Sequence, residues 1–334
     1  MNRLLTGVSL LTLAVLIATP TTVTASPWTL PKDELVLDLS HDFQVATSEY
    51  LFDGTQQIFP LNGVFRSHNA RFGARYGFSD RFEGAATFNV ALVTYNANAL
   101  IMNDFDEGTT SAEATDVIRD FSTARFGAGD VHLHARYNLR SGLIMVTTES
   151  TVKLPTGYET PEGTFRTTAD GQTEIRGQAT LGDGQTDLTQ SILFGAYIPP
   201  TRTFVRLDTG LRYRFGAPGH QAVGALRAGQ FLGDIFVFTA GVGGHYTITE
   251  GDVIGEAFVA IDPTLDARDY SPDNVRVFDM RLDSDAFRAE LGLLVQLGDI
   301  EVVGGYSRTL WGRNTSVVNT FSLTALFALP DFTD

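Results

Sequence analysis

Between positions 203 and 215 the chain reads TFVRLDTGLRYRF, with Val205, Leu207, Thr209, Leu211, Tyr213 and Phe215 at one parity and Arg206, Asp208, Arg212 and Arg214 at the other. A pleated strand sends successive side chains to opposite faces, so this stretch predicts a strand with one oily and one charged face. The same alternation recurs along most of the chain. It is the pattern of an all-β, transmembrane antiparallel barrel, with lipid against the outer wall and a wet lumen within.

Alternating segments fall at 33–45, 63–78, 82–95, 124–139, 143–155, 186–198, 203–215, 235–248, 253–261, 285–297, 300–311 and 317–329. This predicts a barrel of about twelve strands, an even number as single-chain outer-membrane barrels require. A helix would smear Val131, Leu133, Ala135, Tyr137 and Leu139 around its circumference instead of gathering them on one side. Ser79-Asp80-Arg81, Arg140-Ser141-Gly142, Pro199-Pro200-Thr201-Arg202, Glu250-Gly251-Asp252 and Gly298-Asp299 read as short turns, alternating with long connections at 46–62, 96–123, 156–185, 216–234 and 262–284 and a shorter one near Arg313 and Asn314. Short periplasmic turns and long external loops are the expected asymmetry, with both termini on the periplasmic side. Residues 220–232, HQAVGALRAGQFL, would make a thirteenth strand. Parity therefore predicts an external loop or inward plug there, the alternative being fourteen strands with another inside 46–62.

The first residues place Arg3 ahead of an apolar run, Leu10 to Ala18, and end on Val23, Thr24 and Ala25. That predicts a secretory signal over 1–25 and a single barrel domain over 26–334 in the outer membrane of a Gram-negative-type envelope. With no cysteine, disulfides, thiolate metal sites and cysteine nucleophiles are excluded. A formal charge of -15 argues against nucleic acid as a partner. The expected partners are outer-membrane lipid and lipopolysaccharide, the barrel assembly machinery and small solutes. Aromatics beside predicted turns, Phe78, Phe82, Tyr137 and Tyr246, with Tyr213 and Phe215 at the far end of their strand, suit interface girdles.

Three short motifs follow one another: Gly127-Ala128-Gly129-Asp130 opening a strand, Leu154-Pro155-Thr156-Gly157 closing the next, and Leu181-Gly182-Asp183-Gly184-Gln185-Thr186-Asp187-Leu188 opening a third. Their order resembles the outer-membrane family labelled MetA-pathway of phenol degradation, grouped with barrels similar to the long-chain fatty acid transporters. The resemblance implies uptake of aromatic or other hydrophobic compounds. Read physically, the same residues are punctuation: glycines turn the backbone into a strand and Pro155, lacking a donor, ends a ladder. Barrel chains commonly finish on an aromatic residue, whereas this one ends Pro330-Asp331-Phe332-Thr333-Asp334.

The inward parity collects a lumen charge network of Arg71, Arg75, Asp130, His132, His134, Arg136, Glu149, Lys153, Asp187, Arg206, Asp208, Arg212, Arg214, Glu256, Arg288 and Glu290. Neighbouring strands are expected to pair Arg136 with Glu149 and Asp187 with Arg212. Either the network shapes a pore field or it fills a narrow interior. His132 and His134 share a strand face with Asp130, but no fourth ligand is identifiable, so neither metal nor cofactor is assigned. No histidine lies in a Gly-His-x-Ser lipase signature, so a rim lipase or deacylase is disfavoured and no catalytic residue is assigned. Acidic loops, with Asp104, Asp106, Glu107, Glu113, Asp116 and Asp120 in one and Asp262, Asp266, Asp269, Asp273, Asp279 and Asp283 in another, read as solvated charge. A structural or surface-interaction barrel would also use such loops. The reading is a passive channel for small hydrophobic or aromatic compounds, with Val223, Leu226, Phe231 and Leu232 of 216–234 as candidate gate.

Overall fold

Alternation of lipid-compatible and polar side chains is realised in the computed structural model as a sheet closed on itself. The structure describes residues 27–103, 116–158, 160–161, 165–167, 173–175, 179–266, 268–269, 272–298 and 300–329. The predicted signal segment, the acidic run Asp104 to Glu113 and the final five residues lie outside them.

Twelve antiparallel strands form the barrel: β1 (Leu35–Ala46), β2 (Val64–Ser79), β3 (Phe82–Asn96), β4 (Thr123–Arg140), β5 (Ile144–Leu154), β6 (Thr186–Ile198), β7 (Thr203–Phe215), β8 (Gln221–Leu232), β9 (Phe236–Thr247), β10 (Asp285–Leu297), β11 (Ile300–Arg313) and β12 (Asn319–Leu329). Each pairs with its sequence neighbours, and β1 closes the ring against β12 from Leu35↔Leu329 to Val45↔Asn319. Closure satisfies every ladder without an edge, the condition for a sheet in lipid. Outward positions such as Leu39, Phe72, Leu133, Leu207, Leu291 and Leu323 are large, apolar and exposed, as a lipid-facing wall requires.

Two adjacent expectations are corrected. Residues 220–232 form no loop or plug: Gln221–Leu232 is β8, in register with β7 and β9. Residues 253–261 form no membrane strand: Gly255–Ala260 belongs to a small sheet with Val275–Met280, Phe165–Thr167 and Thr173–Ile175 in the long connections. Glu250-Gly251-Asp252 is therefore on the long-loop side, and the short turn is at 233–235, where Gly233 takes φ +68°. The strand number survived because one segment was gained as another was lost. Both alternate, and the even-number rule sets β8 aside only while 253–261 is counted as a strand in its place.

The remaining connections fold inward at the long-loop rim. Phe59 and Leu61, from the β1–β2 connection, pack with Ala179 and Ala260 of two other connections against Phe65, Ala91 and Val93 on the inner wall. Burying each large side chain contributes about 1.5–3 kcal/mol, enough to hold loops over the mouth. A second ribbon, Ser48–Tyr50 with Gln56–Ile58 and Thr315–Ser316, lies on the same rim.

Candidate functional site

The inner wall encloses a cavity of about 270 Å³ whose lining residues are mainly polar or charged by type, with their aliphatic stems contributing to the surface. Alternation places them: once Arg206, Asp208 and Arg212 of β7 point inward, register fixes which neighbours meet them. Of the sequence-predicted residues, Arg71, Asp130, His132, His134, Glu149, Lys153, Asp187, Asp208, Arg212, Arg214, Arg288 and Glu290 line the cavity. Arg75, Arg136 and Arg206 are buried in its wall. Glu256 is corrected: it sits exposed on Gly255–Ala260, in the small sheet of the long connections, and not on the barrel wall.

Toward the short-turn rim, one ladder runs through Glu83, whose carboxylate accepts from Arg75 Nε at 2.9 Å and Nη2 at 3.0 Å and from Arg136 Nη1 at 2.9 Å. Arg136 also pairs with Glu149, opposite it across the β4–β5 hairpin. A second ladder starts at Arg206, donating Nε to Asp208 at 2.7 Å. Arg227 then joins Asp208 at 3.1 Å to Glu290. Charges removed from water in this way hold because each has an opposite partner and hydrogen bonds.

At the long-loop end the three sequence motifs converge. Tyr158 donates its hydroxyl to Asp130 Oδ1 at 2.5 Å and accepts from the Gly184 amide at 3.1 Å. A Cβ at Gly182 would strike the Tyr158 hydroxyl, so glycine is needed for this approach. Lys153 joins Asp183 at 2.5 Å and Asp187 at 2.9 Å, and Arg214 pairs with both. Burial pushes the Asp183 carboxyl up, but Lys153 and Arg214 outweigh it and hold the group below the usual carboxylate range. Burial and the Asp130 carboxylate push the Tyr158 hydroxyl far up, keeping it a neutral donor. The expected Asp187–Arg212 pair is corrected: Asp187 stands opposite Arg214, whereas Arg212 stands opposite Thr189 and donates to Gln221 Oε1 at 3.0 Å.

His132 and His134 stack at 6.3 Å between ring centroids, with His134 Nδ1 2.9 Å from Thr151 Oγ1. Asp130 is engaged by Tyr158, and among the described residues no three His, Cys, Asp or Glu are grouped to hold a metal ion. His245 Nε2 lies 3.3 Å from Ser284 Oγ at the cavity wall.

The candidate gate divides by strand parity. Leu226 and Leu232 face outward, exposed to lipid. Val223 lines the cavity. Phe231 points inward near the short-turn rim, under the Arg202 guanidinium at 5.7 Å and edge-on to Tyr197 and Phe204.

A strap that the alternation could not reveal crosses this rim. Residues 27–34 run inside the mouth: Thr147 donates to the Pro27 carbonyl at 2.5 Å, Trp28 meets Phe204 edge-on at 6.2 Å, and the Leu30 amide donates to Glu83 Oε2 at 2.9 Å. Gly195 leaves the room that Pro27 and Trp28 occupy; a Cβ there would strike Pro27 and crowd Trp28. At the strap's end the Tyr76 hydroxyl, with Lys32, holds the Asp33 carboxyl below its usual range. Sequence reading also missed Asp38, Asp42, Glu83, Asp183, Arg227 and His245. The alternation Asp38-x-Ser40-x-Asp42-x-Gln44 carried the signal for the first two.

A closed ladder, an apolar outer wall and a charged interior define an outer-membrane β-barrel, located in the outer membrane. Among solved structures, the COG4313 outer membrane channel from Pseudomonas putida F1 shares this fold at 12% identity, over 90% of this chain and 97% of that one, with a TM-score of 0.60. The CymD monoaromatic hydrocarbon channel aligns more loosely, at 11% identity, 91% and 90% coverage and a TM-score of 0.42. No protein-family model and no curated protein matches the chain, so the family likeness read from its motifs rests on the motifs alone.

Proposed function

We propose that the chain is an outer-membrane channel for small solutes, aromatic or short-chain, that carry a polar or acidic group. The observation that carries this reading is the cavity, lined by Arg71, Arg212, Arg288 and three histidines as well as carboxylates. An apolar cavity of roughly 150 Å³ accepts benzene, so this larger one has room for a substituted ring. A bare hydrocarbon would desolvate these charged groups without replacing their hydrogen bonds, whereas a phenol or carboxylate restores them. The motif resemblance supports the aromatic part of the reading and the lining supports the polar part. No chemistry is assigned to the walls; they orient and screen the solute during diffusion.

Liposome swelling tests it. Proteoliposomes are predicted to swell faster in phenol or benzoate than in toluene or a neutral disaccharide. Equal rates for all four, or none above protein-free vesicles, would contradict it.

A further inference from the structure

The arginines buried in the described barrel wall, Arg75, Arg136, Arg206 and Arg214, are spent on carboxylates, but two on the outer wall are not. Arg66 on β2 and Arg308 on β11 are exposed on the lipid side, and among the described residues neither is in a salt bridge. Register puts them in one row across four strands: Arg66↔Val45, Val45↔Asn319, Asn319↔Arg308. Three strand spacings separate their Cα atoms, about 14 Å.

The next row toward the short-turn rim is aromatic. His68 meets Phe43 at 4.9 Å, Phe43 stacks on Phe321 at 6.4 Å, and Tyr306 lies against Phe321 at 5.2 Å. Beyond it come Ala70, His41, Leu323 and Gly304, with His41 3.4 Å from His68. Ring-lined wall under two cations is the profile of the boundary between acyl chains and charged head groups. Arg308 stands eight residues from Ile300, the turn-side end of β11, and Arg66 thirteen from Ser79, the turn-side end of β2. At about 3.3 Å per residue and a tilt near 40°, they lie about 20 Å and about 33 Å above their short-turn ends, on either side of the far edge of an apolar band about 25 Å tall.

We propose that Arg66 and Arg308 bracket the phosphates of a phosphorylated outer-leaflet glycolipid of the lipopolysaccharide type, whose acyl chains pack on Phe43, Phe321 and Tyr306. Guanidinium forks bind phosphate through paired charge-assisted hydrogen bonds, and each would replace water at an interface where the arginine has no protein carboxylate to compete. The cation spacing fits two phosphates at opposite ends of a disaccharide better than a single-phosphate phospholipid. The inference stands apart from the channel reading, because it needs only the barrel's orientation in the membrane.

Native mass spectrometry of the refolded full chain in detergent tests it, with diphosphoryl lipid A, its dephosphorylated form and phosphatidylglycerol as probes. The expected result is retention of diphosphoryl lipid A, about tenfold or more weaker in an Arg66→Gln, Arg308→Gln double variant and kept in the double Lys variant. The Lys variant guards against loss through misfolding, and unchanged conductance of the Gln variant separates this site from the lumen. Equal retention by wild type and the Gln variant, by the dephosphorylated form, or of phosphatidylglycerol would overturn it.

Discussion

The strap inside the short-turn mouth gives the most quantitative handle on whether the lumen is gated. Thr147, fully buried, donates to the Pro27 carbonyl, and Trp28 rests edge-on against Phe204. Thr147→Val keeps the shape and removes the donor, leaving a buried carbonyl unsatisfied at a cost of about 1–3 kcal/mol. Trp28→Ala removes an edge-to-face contact of about 0.5–1.5 kcal/mol. Together about 2–4 kcal/mol is lost from the seated state alone. At 1.4 kcal/mol per tenfold, the retracted population rises roughly thirty- to several-hundredfold. Hydrogen exchange reads this at the Leu30 amide, which is protected by Glu83 only while the strap is seated. The double variant is predicted to lose protection there by that factor, with the β7–β9 ladder unchanged. Leu30 protection equal to wild type would refute the reasoning.

Three further outcomes are expected. Arg136→Met leaves Glu149 buried without its cation and should cost about 3–5 kcal/mol in urea unfolding from lipid vesicles, while Arg136→Met combined with Glu149→Gln recovers much of it, Glu83 keeping its pair with Arg75. Leu226→Arg puts a charge on the lipid face of β8 and should cost about 2–4 kcal/mol in the same assay, where a loop position would cost almost nothing. Glu49, in the ribbon at the long-loop rim, has its carboxyl pushed up to about 7 by burial against its Gln57 hydrogen bond. Because the folded pKa lies above the unfolded one, its stabilising contribution is full below about pH 4.5 and lost as pH rises to about 7. Amides of 48–58 should therefore exchange faster at pH 8 than at pH 5 after correction for intrinsic rates, by up to about two orders of magnitude, and Glu49→Gln should remove the difference.

The barrel was legible because strand parity is written residue by residue: β7 alone declares an oily and a charged face. Arg136 with Glu149 followed from the same rule, since a three-residue turn fixes their register. What parity could not decide is which alternating segments enter the ring. β8 and Gly255–Ala260 alternate alike, and their placement depends on loop packing around Ala260 and on the Gly233 turn. Glu83 was missed because its value lies in Arg75, Arg136 and the strap amide arriving from separate segments. The strap itself has no period; its path is set by a Thr147 hydroxyl and a space at Gly195 far along the chain. Asp183 likewise gains its role only when a loop folds back onto Lys153 and Arg214.

Single-channel recording of the refolded chain in a planar bilayer tests the central claim, that this lumen passes small polar-headed solutes through a charged cavity. The account predicts small conductance steps, enlarged when residues 27–32 are deleted and briefly interrupted by benzoate in a manner lost in Arg212→Met. Steps indifferent to every solute, or a folded barrel that stays silent even without its strap, would contradict it.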